Sequence, residues 1–251
     1  MNTELWDNLS FFLTRLRALP CCESQAFPGG FCLSTGSESA SENWAFFPGL
    51  SPEAELTGAV LHFFEKRRLP FVWPAETGEA SGALTDAGLR ERGRLVVMDR
   101  DAACLPDGSG AVTVHPVSSR EEAVGWAETS WRGFDGESPA PETFQKLAEA
   151  MSEDSPVLRL VTARFEGEDA GTFLLALSRN AAGIYYFATV PEFRRRGVAS
   201  AMMAEAGRMA LAAGCPRLVL QSTPTGLPFY RRAGFAPLGE LALFSFSEDV
   251  F

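Results

Sequence analysis

In the second half of the chain, short runs of apolar residues typical of β-strands alternate with segments whose apolar residues recur at helical spacing. Helices are predicted from Ser118 or Ser119 onward and over residues 141–151. The polar residues Glu166–Asp169 predict the turn of a hairpin between two of the runs. The predicted strands are Val112–Val114, Val157–Phe165, Thr172–Leu177, Ile184–Thr189 and Leu218–Leu220.

The clearest helix-type repeat begins after Gly197. Gly214 follows the last apolar position, where a helix commonly ends in a left-handed residue. The pattern therefore predicts one long helix between the strands at 184–189 and 218–220. Its apolar positions, spaced by four, four, three and four, are Val198, Met202, Ala206, Met209 and Ala213.

The first half of the chain carries weaker patterns of the same kind. Helices are predicted over Leu5–Leu19, near Leu84–Glu91, and from Ser51, with Ser51 as the cap and Pro52 in the first turn. The turn formers Pro106–Gly110 separate the two halves. We therefore expect a smaller α/β domain over residues 1–107 and a second domain over residues 108–251. Short strands are predicted at Phe31–Leu33, Trp44–Phe47, Phe71–Trp73 and Leu95–Met98.

Composition excludes several classes of function. The net charge of −10 argues against a nucleic-acid partner and against binding to a membrane surface, since both need a basic face. The N-terminal residues lack the pattern of a signal peptide, and no apolar run is long enough to span a bilayer, so a cytoplasmic location is expected. The five cysteines form no CxxC pair, so no metal site is expected.

The segment Thr189–Ser200 is the main candidate for chemistry. A strand ends there, an Arg194-x-x-Gly197-x-Ala199 turn follows, and a helix begins. The first amides of a helix lack partners within the helix and lie at the positive end of its dipole, where pyrophosphate binds well. Five arginines and two glutamates between Pro191 and Arg217 add local positive charge in an acidic chain. The turn therefore predicts an anion site.

This turn resembles the acyl-coenzyme A signature of the GNAT superfamily of N-acetyltransferases, over roughly Val112 to Phe246. The resemblance implies a mixed, mostly antiparallel central sheet flanked by helices, with acetyl-CoA as co-substrate. The first half lacks such a turn and is interpreted as a degenerate, GNAT-like domain. The coenzyme-binding residues that the resemblance implies are Phe187, Ala188, Thr189, Arg194, Arg195, Arg196, Gly197, Val198, Ala199, Ser200 and Thr223.

A second segment, Pro228–Phe235, resembles the family's "LYeklGF" motif. In that family the tyrosine commonly protonates the coenzyme A thiolate as it leaves, so the resemblance gives this role to Tyr230. Thr223 stands where the family often has asparagine, seven residues before the tyrosine. The bland alternative for Tyr230 is a packing role between a helix and the sheet.

The resemblance predicts transfer of an acetyl group from acetyl-CoA to a primary amine, of either a small molecule or a peptide. The general base stays unassigned, because neither strand beside the turn carries an acid. Open alternatives are an ordered water, an acid such as Asp135 or Glu137, and His115, for which a structural role is favoured. Two rival functions stay open: a non-catalytic, acyl-CoA-binding regulatory module, and a structural protein. Homodimerisation is compatible with either enzyme or module.

Overall fold

The computed structural model describes residues 3–51, 53–76, 79–102, 111–153 and 156–248. Their contacts divide the chain into one unit of residues 1–97, 222–227 and 237–251 and another of residues 98–221 and 228–236. The sequence places a single boundary at 107/108 instead, and its turn cluster Pro106–Gly110 lies outside the described residues. No single boundary along the chain can separate these two units, because the last strand of the chain pairs with a strand of the first unit.

The first unit contains a small antiparallel sheet and a helical layer. Strands β1 (Glu23–Phe27), β2 (Gly30–Ser34) and β3 (Trp44–Phe46) form this sheet in chain order. Aromatic rings fill the core, and those of Phe64 and Phe71 stack with centroids 4.2 Å apart. The remaining elements are α1 (Thr3–Leu16), α2 (Ala54–Glu65), β4 (Trp73–Ala75), α3 (Glu79–Asp86), β5 (Arg90–Asp101, which continues into the second unit) and β11 (Ala236–Ser245, antiparallel to β4).

Three helix boundaries predicted for this unit were wrong. The first helix ends at Leu16, not Leu19, because a turn that includes Pro20 follows it. The cap of α2 is Glu53 rather than Ser51, so the helix starts two residues later than predicted, and Pro52 lies outside the described residues. The helix expected near Leu84–Glu91 ends at Asp86, and the strand β5 already begins at Arg90.

The second unit is a sheet flanked by helices. Its strands lie in the order β10 (Arg217–Ser222), β9 (Ala182–Thr189), β8 (Glu168–Leu177), β7 (Leu158–Phe165) and β6 (Val112–Pro116). All neighbouring pairs are antiparallel except β9 and β10, which run parallel. The helices are α4 (Arg120–Gly133), α5 (Glu142–Glu153), α6 (Val198–Ala212) and α7 (Leu227–Arg232). The predicted mixed, mostly antiparallel fold is confirmed.

Local signals in this half were mostly confirmed. The β7–β8 hairpin turns at Glu166 and Gly167, which both have positive φ, as a type I′ turn requires. Ser119 caps α4, and its side chain accepts a hydrogen bond from the Glu122 amide at 3.1 Å. Gly214 has φ +77° just beyond α6. Within the described residues, no helix is long and apolar enough to cross a membrane.

Candidate functional site

The turn between β9 and α6 leaves the start of the helix without a side-chain cap. A single 3-10 turn, Pro191–Phe193, follows the strand, and the chain reaches Gly197 at φ +87°, with Arg195 also at positive φ. Gly197 is the residue that caps α6, and having no side chain, it makes no side-chain cap hydrogen bond. The amides at the start of the helix therefore point outward without an intrahelical partner, which is the arrangement that binds phosphate oxygens.

Close packing fixes the helix start against the sheet. Val198 and Met202 are buried on the sheet side of α6. Gly171 on β8 makes this approach feasible, because a Cβ there would lie 2.8 Å from the Ala188 carbonyl oxygen and 3.0 Å from Met202 Cε. Ala199 is half-buried in the first helical turn, while Ser200 is exposed. The amides of the turn are thus held by a rigid base.

Arg194 holds the strand end in place. Its Nε donates to the Thr189 carbonyl oxygen at 3.1 Å, and its Nη2 donates to the Gly133 carbonyl oxygen at 3.1 Å and to Asp135 Oδ1 at 2.9 Å. Its backbone amide donates to Pro191 O. The side chain assigned to the coenzyme by resemblance is therefore engaged with the protein itself, and it joins the end of β9 to the segment after α4.

The next two arginines supply positive charge at the turn. Arg195 is exposed, and Arg196 lies over the rings of Phe165 and Phe193 at 5.5 and 5.9 Å. Stacking on aromatic faces restrains a guanidinium group without neutralising it. Arg195 and Arg196 thus favour an anion in front of the helix.

The parallel pairing of β9 with β10 is short. Its recorded partners end at Ile184 and Leu220, although β9 continues to Thr189 and stays paired with β8 as far as that residue. Beyond Ile184, one edge of β9 is therefore not used by this ladder. Phe187, Ala188 and Thr189, which the family resemblance assigns to coenzyme binding, all lie in this stretch.

A β-bulge lies in the same stretch of β9. Tyr186 and Phe187 together stand opposite the single residue Phe173, and Tyr186 has φ +48°. Thr172 Oγ1 donates to the Tyr186 carbonyl oxygen at 3.2 Å and fixes the irregular backbone. The Tyr186 ring packs on Trp126, whereas the Phe187 ring packs on residues of α7. The bulge thus directs the neighbouring aromatic side chains of Tyr186 and Phe187 to different partners, in the part of β9 beyond its last β10 partner.

Tyr185 lies where β9 and β10 part. Burial of the Tyr185 phenol raises its pKa well above the usual value, and the nearby Gln221 side chain opposes part of that rise. A phenol with a raised pKa stays protonated near neutral pH and is a poor base. Tyr185 is therefore not assigned as the general base.

Tyr230 is enclosed by aromatic rings. It is 9% exposed, with centroids of Phe229, Phe235 and Phe187 at 5.4, 5.7 and 6.0 Å. This burial raises the pKa of the Tyr230 phenol, since the charged form loses its hydration. The phenol therefore keeps its proton at neutral pH and can donate a hydrogen bond, and the same enclosure also suits the packing role.

The acids and the histidine considered as bases have different surroundings. Asp135 forms an ion pair with Arg194, and Glu137 is exposed. His115 lies on β6, with β7 and β8 between it and β9. Thr223 belongs to the segment 222–227, which groups with the first unit, and its Oγ1 accepts a weak hydrogen bond from the Gly226 amide at 3.4 Å. The coenzyme role of Thr223 stays a prediction. In the part of the chain that the structure describes, no three potential metal ligands are grouped together.

Two positions that shape this region were not singled out in the sequence. Gly133 ends α4 so close to β9 that a Cβ would meet the Ala188 Cβ at 2.6 Å, and Gly171 allows α6 to approach. Glycine is costly inside a helix or a strand, so its presence at both positions was a usable signal of close backbone approach.

Comparison with known proteins gives matches to acetyltransferases. Residues 120–235 match the model described as the acetyltransferase (GNAT) family. An acetyltransferase of Photorhabdus laumondii is 34% identical over 92 residues, which cover 37% of this chain and 63% of that protein. The match thus spans less than two thirds of this relative.

Solved structures resemble a larger part of the chain. A GCN5-related N-acetyltransferase from Kribbella flavida has a TM-score of 0.68 at 17% identity, and the match covers 94% of this chain and 93% of that one. A tandem GNAT protein from the clavulanic acid biosynthesis pathway has a TM-score of 0.61 at 10% identity, covering 96% and 87%. At such low identity these likenesses concern the fold alone.

Proposed function

Since residues 120–235 match the acetyltransferase (GNAT) family, we propose that this chain transfers the acetyl group of acetyl-CoA to a primary amine. The observation that carries the proposal is the start of α6 behind Gly197, which has no side-chain cap. Its amides suit the diphosphate of coenzyme A, and the arginines beside it supply the complementary charge.

The unused edge of β9 supports the next part of the proposal. The peptide groups of Phe187 and Ala188, which lie beyond the last β10 partner Ile184, can pair with the amide groups of the coenzyme's pantetheine arm. A main-chain N–H in that stretch can also polarise the thioester carbonyl, as preorganised donors do in acyl transfer. The bulge at Tyr186 gives this backbone a fixed shape before any substrate arrives.

In the proposed step, the nitrogen of a neutral amine attacks the thioester carbonyl, and the carbon–sulfur bond breaks. Tyr230 donates a hydrogen bond to the sulfur. A phenol has a pKa of at least about 10 and a thiol one of about 8.5, so full proton transfer to the thiolate is uphill by about 2 kcal/mol or more. Tyr230 therefore stabilises the charge as it develops, and water restores any proton that it gives up.

The acceptor is proposed to be a small-molecule or peptide amine that carries positive charge in solution. The overall charge of −10 favours attraction of such a molecule. Neither β9 nor β10 carries a carboxylate, so the excess proton of the attacking amine is proposed to leave through water. Rate acceleration then comes mainly from positioning and from backbone electrostatics.

A second candidate function is an acyl-CoA-binding module without turnover. The absence of a carboxylate from β9 and β10 favours it, since neither strand then supplies a general base for the amine. Calorimetry with coenzyme A, followed by thiol release from acetyl-CoA across a panel of amines, separates the two functions. Saturable binding with acetylated product supports the enzyme, binding without product supports the module, and no binding contradicts both.

Tyr230→Phe tests the role of the phenol. The ring contacts with Phe187, Phe229 and Phe235 remain, so the melting temperature and coenzyme A affinity are expected to stay unchanged. Turnover is expected to fall about 100-fold, the lower range for loss of a general acid. Steady-state kinetics beside calorimetry measures both quantities, and unchanged turnover would refute the assignment.

A further inference from the structure

Two adjacent cysteines occupy the turn that joins α1 to β1. The amide of Cys22 donates to the carbonyl oxygen of Leu19 at 3.1 Å, which closes a four-residue β-turn with Pro20 in its second position. The proline restricts the backbone just before the two thiols. Cys21 and Cys22 are therefore presented by a short turn of defined shape.

The two thiols lie together and are within reach of solvent. Their sulfur atoms are 3.9 Å apart, and both residues are half-buried. Cys32 and Cys215, in contrast, are 0% and 2% exposed. Cys21 and Cys22 are thus the accessible thiols among the cysteines that the structure describes.

The geometry of this pair does not favour a disulfide bond. Consecutive Cα atoms joined by a trans peptide are about 3.8 Å apart, whereas disulfides usually need Cα atoms at least about 4.4 Å apart. The sulfur atoms would also have to close from 3.9 Å to about 2.05 Å. Direct oxidation of the pair therefore requires backbone distortion.

An ion that bridges the sulfurs fits the spacing much better. With an ion–sulfur bond of about 2.3 Å, as for zinc thiolates, and angles between 90° and tetrahedral, the two sulfurs lie about 3.3–3.8 Å apart. The observed 3.9 Å needs only a small side-chain rotation to reach that range. No third potential ligand is grouped with the pair in the described residues, which favours a ligand that is satisfied by two thiolates.

We propose that Cys21 and Cys22 form a chelating site for a thiophilic trivalent metalloid, of the class of the trivalent organoarsenicals. Such a ligand with an arsenic–oxygen double bond condenses with both thiols. Two arsenic–sulfur bonds form, the arsenic–oxygen bond breaks, and the oxygen leaves as water with the two thiol protons. Arsenic stays trivalent and no sulfur is oxidised, so no oxidant is required.

The protonation of the pair supports the order of this reaction. The hydrogen bond between the two thiols lowers the pKa of Cys21, so Cys21 is the more acidic of the pair. The same interaction, burial and the negative charge of Glu42 raise the pKa of Cys22. Cys21 is therefore the first nucleophile, and Cys22 closes the ring and releases the second proton.

The test uses the full chain and phenylarsine oxide. One phenylarsenic per chain is expected, with the mass increase of the group minus two hydrogens, stable to excess monothiol and reversed by a 1,2-dithiol. Cys21→Ser and Cys22→Ser are each expected to weaken retention by about 100-fold, because the second bond then loses its high effective concentration. Cys104→Ser serves as the matched control and should retain the adduct.

Peptide mapping of the wild-type adduct keeps the test independent of how the variants fold. Modification of the peptide that contains residues 21 and 22 is expected. The site is overturned if wild-type protein retains no phenylarsenic, if the adduct maps elsewhere, or if Cys104→Ser abolishes retention. It is equally overturned if retention survives in folded Cys21→Ser or Cys22→Ser protein.

Discussion

Two connecting segments of the molecule treat their backbone polar groups in opposite ways. Between β2 and β3, Asn43 is fully buried and joins five groups: it accepts from Ser34 Oγ and the Thr35 amide, and donates to three carbonyl oxygens. Between β9 and α6, the turn at Gly197 has no side-chain cap at all. The polar groups of the first segment are hydrogen-bonded by a side chain of the protein, whereas the backbone donors at the second remain available.

The difference separates a structural loop from a candidate binding site. Unsatisfied polar groups are tolerated in a folded chain only where water or a ligand can meet them. Both segments contain a glycine, so the presence of glycine alone does not distinguish them. The two segments differ in whether a side chain makes the hydrogen bonds that close the turn.

Asn43→Ala should give the largest effect, and only on stability. It orphans several buried groups at 1–3 kcal/mol each, so a loss of about 3 kcal/mol in the free energy of unfolding is expected by denaturant titration. Coenzyme A affinity should not change. Ser41→Ala, which removes one hydroxyl contact with Ser39, is the control and should cost less than about 1 kcal/mol. An Asn43→Ala protein as stable as the wild type would contradict the structural role given to the first segment.

Gly197→Ala and Gly167→Ala form a matched pair, because their φ angles are +87° and +89°. Alanine in this region costs about 1–2 kcal/mol at either position, and a Cβ at Gly167 meets nothing within 4 Å. Both variants should therefore lose similar stability. Only Gly197→Ala should weaken coenzyme A binding, by about tenfold in calorimetry, through displacement of the amides at the helix start. Equal affinities in both variants would remove the functional side of the comparison.

Arg195→Ala should give the smallest effect. An exposed charge at a helix N-terminus is worth about 0.3–1 kcal/mol toward an anion, so coenzyme A affinity should fall about threefold at low salt. The difference should shrink as salt is added, because exposed charges are screened. Arg179→Ala, an exposed arginine just before β9, is the control and should bind as the wild type does. A loss as large as that of Gly197→Ala would assign the site to side chains instead of amides.

The sequence carried enough information for those parts of the fold whose signals are local. The Ser119 cap and Gly214 each depend on a few neighbouring residues, and both were confirmed. The turn predicted over Glu166–Asp169 was confirmed at Glu166 and Gly167, whereas the next two residues already belong to β8. Strand β1 had no such signal, because Glu23–Phe27 is largely exposed and shows no apolar alternation. It exists because it can pair with β2, which is a property of two segments together.

The candidate site also has parts that the sequence indicated and parts that it did not. The Arg194–Ala199 turn was evident because glycine and small residues stand at fixed spacing. The internal hydrogen bonds of Arg194 were not evident, because Gly133 and Asp135 lie about sixty positions earlier in the chain. The bulge could not be predicted either, since it appears only when the residues of β9 are counted against those of β8.

That bulge makes the length of β9 as important as its composition. Two residues of β9 face one residue of β8, so the strand carries one more residue than regular pairing needs. Deleting Tyr186 would restore regular pairing and place Phe187 opposite Phe173, whose ring it already contacts. The deletion would also remove the positive-φ residue that bends the strand at this point. In this strand, losing a single residue can therefore reshape the backbone of the candidate site while the sheet keeps its pairing.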